Sequence, residues 1–183
     1  MNALEATKTL IGLSACALLA AGCTPAPTAD ADAAQRLADR EAIEDVLSRA
    51  NIGFELSEPD LFADAFAQDG VYELAGEGPV FGYQKMVYNG RPEIRTIISD
   101  RLDRSRNTDP STLSYDPASL RRYNRNSDSL MEIIDDDSAR HTSTWMVVMK
   151  TNVDIHTSAI GRYEDELVKR DGEWLIAKRR RIE

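Results

Sequence analysis

The chain has 183 residues, 31 of them acidic and 22 basic, with a formal net charge of −9. An acidic body of this kind excludes nucleic acid as a partner, because phosphate binding needs clustered Lys and Arg. Both cysteines, Cys16 and Cys23, lie in the first 23 residues, so the remainder offers no internal disulfide, no thiol nucleophile and no cysteine-bound zinc.

Residues 10–23 carry no charge. That run is shorter than the roughly twenty apolar residues a membrane-spanning helix needs, and Pro25 and Pro27 stop it. Lys8 ahead of the run and small residues at its end describe a secretory signal. "LAAGC", Leu19 to Cys23, resembles the bacterial lipobox, in which small residues suit the signal peptidase and the cysteine accepts lipid. The resemblance implies a signal peptide over residues 1–22 and a lipidated Cys23 that ties the protein to a membrane on the periplasmic side of the cell envelope. Thr24 after the cysteine implies the outer membrane. A plain secretory signal cut nearby is the alternative. Residues 23–32, "CTPAPTADAD", are small, polar and proline-bearing, and read as a flexible tether. One domain over residues 33–183 follows, long enough for a real core.

Residues 33–56 have a helical pattern, with Leu37, Ile43, Val46, Leu47, Ala50 and Phe54 recurring at three- and four-residue steps. Ser57 and the Pro59–Asp60 pair suit the start of a second helix, with Leu61, Phe62, Ala65 and Phe66 inward and "QDG" ending it. Short strands are expected at residues 71–74 and 80–83. "GRPEIRTIISDRL" reads as a third helix, with a stripe of Ile94, Ile97, Ile98 and Leu102. Residues 104–126 read as a long arginine-rich loop of the kind that forms lids. Strands follow at residues 129–134 and 141–151, and "AIGRYEDELVKR" and "WLIAKRRRIE" form a hairpin around "DGE". Three helices and then a run of antiparallel strands give an α+β domain, with helices covering one face of a curved sheet.

"DREAIEDVLSRA", "FELSEPDLFADAFAQDGVYEL", "GRPEIRTII" and "GRYEDELVKRDGEWLIAKRRRI" resemble, in order, the landmarks of SnoaL-like proteins of the nuclear transport factor 2-like superfamily. The match runs from about Arg36 to Ile182. It implies an α+β cone, a cystatin-like fold in which a curved antiparallel sheet wraps a long N-terminal helix around a deep pocket. Members include ketosteroid isomerases, scytalone dehydratase, a dehydrochlorinase, polyketide cyclases and epoxide hydrolases, as well as non-catalytic subunits and binders. The fold therefore leaves function open. The implied partner is a small apolar or carbonyl-containing organic molecule, with no cofactor, and homodimers are frequent among relatives.

In the dehydratase and dehydrochlorinase branch a carboxylate at the end of the first helix orients a histidine base. The resemblance puts Glu55 at the carboxylate position. The histidine position falls at Arg125 or Asn126, neither of which can act as a base. That dyad is incomplete. Asn126, and Asn124 with Tyr123 beside it, remain as substrate contacts. His141 shares a strand face with Ser143 and Trp145 by alternation, either looking into the pocket or standing partly solvated at a strand start. His156, two residues after Asp154, reads as a loop or edge histidine. Tyr163, Asp165 and Leu167 share a face, where Asp165 is either a buried acid with a raised pKa or a structural hydrogen-bond partner. Tyr72 and Tyr83 are pocket-wall donors or core aromatics. No spacing provides the three converging ligands a metal needs. Eight arginines against five acids between Arg91 and Arg125, and "KRRR" at residues 178–181, read as solvated surface or an anion-attracting patch. In "KRRR", alternation sets Lys178 and Arg180 opposite Arg179 and Arg181. The candidate functions are a lyase or isomerase using Glu55, His141 and Asp165, with Trp145 and Tyr163 in the pocket, or a non-catalytic binding or scaffold domain.

Overall fold

The computed structural model describes residues 29–75, 86–106 and 121–182. Cys23, Tyr83, the strand expected at residues 80–83 and most of the expected loop lie outside them. Helix α1 spans Ala29–Leu56, α2 Pro59–Asp64 and α3 Gly90–Arg106; the strands are β1 Phe66–Ala75, β2 Met86–Asn89, β3 Arg121–Ile133, β4 Ser138–Lys150, β5 Ile155–Arg170 and β6 Glu173–Ile182. No described helix is long and apolar enough to cross a membrane.

The first helix begins at Ala29, four residues before the expected start of the domain at residue 33. Asp30 and Asp32 stand in its first turn, where carboxylates complement the positive end of the helix dipole. Its inward face is Ile43, Val46, Leu47 and Ala50, whereas Leu37 is exposed. The helix ends in a Schellman motif rather than running into a cap. Ser57 is left-handed at φ 62, and the Glu58 amide donates to the Gly53 carbonyl at 2.9 Å. Ser57 therefore closes α1, and the cap position of α2 falls to Glu58, whose side chain makes no capping hydrogen bond.

Helix α2 stops at Asp64, so Phe66 and "QDG" belong to β1, where they form an irregular step in the pairing with β6 between Phe66 and Val71. The strand order is β2-β1-β6-β5-β4-β3. All neighbours are antiparallel except β1 and β6, which run parallel. Residues 121–126, expected in the loop, are the first half of β3, paired along β4. Between β5 and β6 the two-residue turn Asp171–Gly172 has φ of 54 and 83, the left-handed pair that suits the twist of a tight hairpin.

Helix α1 packs on both β6 and β3, which are separated in the sheet by β5 and β4. A sheet reaches one helix with two such distant strands only by curling round it. Irregular steps in the β3–β4, β4–β5 and β5–β6 pairings supply the bends. The core lies inside the curl. Phe62, Phe66, Tyr72 and Tyr88 form a chain of edge-on rings with centroids 5.3–6.5 Å apart, a favoured aromatic geometry. At the other end, buried Asp39 on α1 accepts from Trp174 Nε1 at 2.9 Å and from Lys169 Nζ at 2.6 Å, pinning the helix to the β5–β6 hairpin.

Candidate functional site

The step between β5 and β6 decides the site. Ile176 lies opposite Leu167, but Lys178 lies opposite Glu166, leaving Ala177 as an extra residue. Side chains alternate along a strand, so one extra residue exchanges the faces beyond it. Trp174 and Ile176 point inward before the bulge, and Arg179 takes the inward face after it, 1% exposed. The reading of "KRRR" as solvated surface is thus corrected at Arg179. The bulge turns a surface cation into an interior one.

Three strands then present facing residues in ranks. His141, Asp165 and Arg179 are cross-strand partners, and Ser143, Tyr163 and Arg181 form the next rank. His141 Nδ1 is 3.0 Å from Asp165 Oδ2. Arg179 donates through Nε to Asp165 Oδ1 at 2.7 Å, through Nη2 to Oδ2 at 3.1 Å, and through Nη1 to Asn51 Oδ1 of α1 at 3.1 Å. His141, Asp165 and Arg179 are all buried. Two cation–ring stacks complete the wall, Arg179 over Tyr163 at 4.5 Å and Arg181 over Trp145 at 3.8 Å.

The electrostatics of Asp165 follow from these neighbours. Burial on its own raises a carboxyl pKa. Here the Arg179 charge and the hydrogen bonds from His141 and Arg179 outweigh it and hold Asp165 below the usual carboxylate range. The alternative of a raised pKa is therefore corrected, because an interior cation was not foreseen. The same pairing outweighs burial at Arg179 and raises its pKa. An ionised Asp165 has no proton to give, so the His141 Nδ1–H must donate to it. Whenever the ring is neutral, Nε2 is then the nitrogen without a proton.

Two cavities adjoin this wall. A cleft of about 270 Å³ opens between α1, through Leu47, Ser48 and Asn51, and the β3–β4 pair, through Asn126, His141 and Ser143. Deeper in, an inner cavity of about 10 Å³ is lined by Asn51, Phe54, Asn124, Asn126, Trp145, Tyr163 and Arg181. Asn51 and Asn126 line both.

His141, Asn126, Trp145 and Tyr163 thus line one cavity or the other, and Asp165 stands directly behind His141. Glu55 does not join them. It is exposed at the end of α1, where the negative pole of the helix disfavours a buried carboxylate, and the α1 side chain that reaches the dyad's arginine is Asn51. Tyr72 is buried among the core rings rather than in a cavity wall; burial pushes its phenol up, against the opposing pull of Arg181 and Arg179. His156 is half exposed and bonded to Asp154 at 3.0 Å. Arg125 is exposed on β3. Arg95 pairs with Asp60 at 2.8 Å, and Arg91 donates to the Phe66 carbonyl at 2.6 Å, so these two arginines stitch α3 to α2 and β1. Among the described residues no three or more His, Cys, Asp or Glu converge to hold a metal ion. Asn51, Arg179 and Arg181 were not anticipated as site residues; the one sequence signal for the two arginines was the alternation within "KRRR".

Residues 35–180 match the SnoaL-like domain. No curated protein matches the chain. Among solved structures, an NTF2-like protein with a cystatin-like fold from Novosphingobium aromaticivorans superposes with a TM-score of 0.65 at 15% identity, covering 85% of this chain and 89% of that one. A protein from the same organism named "Putative Scytalone Dehydratase" gives 0.53 at 19% identity over 81% and 86%. One from Catenulispora acidiphila, solved in complex with S-DNPA, gives 0.59 at 17% identity over 80% and 93%. At such identities the likeness carries the fold and not the chemistry. With the family match covering most of its length, and with a curved six-stranded sheet around a long first helix, this chain belongs to the SnoaL-like domain family of the NTF2-like, cystatin-like fold.

Proposed function

We propose that the protein is a lyase or isomerase that removes a proton from carbon in a small carbonyl-containing organic molecule, with His141 as the base and Asp165 as the residue that orients it. The observation that carries this reading is the buried His141–Asp165–Arg179 rank opening on a cleft. Arg179 keeps Asp165 ionised, Asp165 holds Nδ1–H, and Nε2 is left with a lone pair for the cleft. In the reaction the C–H bond breaks and its proton passes to Nε2. The electron pair moves toward the carbonyl oxygen, or forms a C=C bond as a leaving group departs. A space of about 270 Å³ accommodates a ring-sized molecule, since an apolar cavity of about 150 Å³ already holds benzene. The Novosphingobium dehydratase-named neighbour and the small-molecule complex of the Catenulispora protein agree with this class.

The test is deuterium uptake. The protein is incubated in D₂O with a panel of enolisable ketones and aldehydes, and product mass is read by mass spectrometry. The reading predicts uptake into at least one compound, lost in His141→Gln. Uptake that persists in that variant would sink it. A non-catalytic binding domain is the second reading, favoured by the stacked Arg181–Trp145 and Arg179–Tyr163 pairs, which narrow the inner cavity to about 10 Å³; it predicts ligand binding without uptake. Export and a lipid anchor at Cys23 are part of the proposal, supported by the lipobox-like "LAAGC". Cys23→Ser should move the protein from the membrane to the soluble fraction, and retention would count against the anchor.

A further inference from the structure

The inner cavity holds a polar imbalance that the dyad does not use. Trp145 Nε1 and Asn124 Nδ2 are both buried without a hydrogen-bond partner, and both residues line this cavity. Trp145 is only 3% exposed, so its indole N–H has no recourse to bulk water. Leaving such a donor unmet is costly, and native proteins rarely do so without a reason. The surrounding groups reinforce the sign. Asn51 already gives its carbonyl to Arg179, so what it can still offer the cavity is a donor NH₂. The Arg181 guanidinium stands over the Trp145 ring, 3.8 Å from its centroid, and adds positive potential. Asn126 is able to donate as well as accept. The cavity is therefore rich in donors and electropositive, and its volume of about 10 Å³ is close to the least that admits one water-sized group. A single water there would bring two further donor hydrogens of its own, whereas an oxygen of a ligand brings only lone pairs.

We propose that this cavity is an acceptor-oxygen site, in which Trp145 Nε1 and Asn124 Nδ2 receive the carbonyl or enolate oxygen of a molecule whose body fills the adjoining cleft. The inference rests on reading His141 as a base for its catalytic meaning, but not for its binding meaning. Asn51 and Asn126 line both cavities, so one molecule spans them, its oxygen deep and its acidic carbon toward His141. As the proton leaves for His141 Nε2, the electron pair collects on that oxygen, where fixed donors stabilise it most. Asn124 and Trp145 come from neighbouring strands, β3 and β4. Gly161, the cross-strand partner of Trp145, leaves room for the indole ring: a Cβ there would stand 2.6 Å and 2.8 Å from two of its carbons.

The probe is 4-nitrophenol, whose phenolate mimics an enolate and absorbs in the visible. The full chain is titrated near neutral pH while the two indole N–H resonances are followed by NMR. Trp174 serves as an internal reference because its N–H is already bonded to Asp39. The expected result is phenolate binding with a downfield shift of the Trp145 N–H and a still Trp174. Asn124→Leu and Trp145→Phe should each weaken binding about 10- to 100-fold, the range for losing one hydrogen bond to a charged oxygen. Absence of binding at millimolar phenolate, a Trp145 resonance that does not move, or wild-type affinity in Asn124→Leu would overturn the site. Asn124 is only half buried, so that variant keeps the test valid if Trp145→Phe fails to fold. His141→Gln separates the two ideas. Deuterium uptake lost in His141→Gln with wild-type phenolate affinity in Asn124→Leu removes the acceptor site alone. Weakened binding in Asn124→Leu with uptake intact in His141→Gln removes the base alone.

Discussion

Asp165→Asn is the sharpest single perturbation, because it keeps the side chain's shape and deletes one charge. Asp165 is 2% exposed and Arg179 1%, and they are joined at 2.7 and 3.1 Å. Without the carboxylate, Arg179 is a buried cation whose remaining partners are Asn51, a neutral amide at position 165 and the Tyr163 ring. Removing one member of such a pair costs about 3–5 kcal/mol. For a chain of this size each kcal/mol moves the midpoint by about 2–4 °C, so the melting temperature should fall by about 6–20 °C. Urea unfolding of wild type, Asp165→Asn, Arg179→Met and the double variant gives the coupling directly. The double variant should be more stable than the sum of the two losses implies, since an apolar pair of similar volume needs no counter-charge. An Asp165→Asn protein within about 0.5 kcal/mol of wild type, the range of an ordinary surface change, would refute the buried pair. So would strict additivity in the cycle. The same variant should abolish deuterium uptake, because the amide NH₂ donates to His141 Nδ1 and forces the proton onto Nε2.

Acid should destabilise the protein in a defined window. Asp39 is lowered from 3.8 by its bonds from Lys169, Trp174 and Gln35, which overcome burial, and Asp165 is lowered chiefly by Arg179 against the same opposing burial. Folded carboxylates with depressed pKa bind fewer protons than unfolded ones, so their contribution is complete above about pH 4–5 and drains away as pH falls below 3.8 toward the folded values. Chemical denaturation between pH 2 and pH 6 checks this, and Asp165→Asn should show a shallower decline; a parallel one would contradict the assignment. Gly161→Ala puts a Cβ against the Ile182 carbonyl and 2.6 Å from a Trp145 ring carbon. It should cost about 1–3 kcal/mol of stability and shift the Trp145 indole resonance. Unchanged stability and spectrum would show that the Trp145 packing is misplaced.

The helices were legible in the sequence because they rest on period and punctuation, whereas the wrapping of the sheet round the first helix came from the family resemblance. The face of α1 from Ile43 to Ala50 follows from three- and four-residue spacing, and the β5–β6 hairpin follows from Asp171–Gly172. What escaped was anything that depends on a change of phase. The bulge at Ala177 carries no residue signature, yet it moves Arg179 from one face of β6 to the other and thereby supplies the counter-charge of Asp165. Ser57 looked like a helix cap because serine favours that position, and it instead closes the preceding helix in a left-handed conformation. The candidate site divided in the same way. Alternation grouped His141 with Ser143 and Trp145, and Asp165 with Tyr163 and Leu167, but which face looks inward and how the two residues pair need the β4–β5 register, which no local pattern specifies. Glu55 was chosen by its place at the end of the helix, and that place leaves the carboxylate in water.

The claim on which the account stands is that Asp165 fixes the proton of His141 on Nδ1 and leaves Nε2 bare toward the cleft. The chain has two histidines, so ¹⁵N NMR of imidazole-labelled protein, with His156→Gln for assignment, reports the tautomer of His141 without crowding. For the neutral ring the expected tautomer has a protonated Nδ1 and an Nε2 shift typical of an unprotonated nitrogen, reversed in Asp165→Asn. A proton found on Nε2 of the neutral ring in the wild-type protein would contradict it.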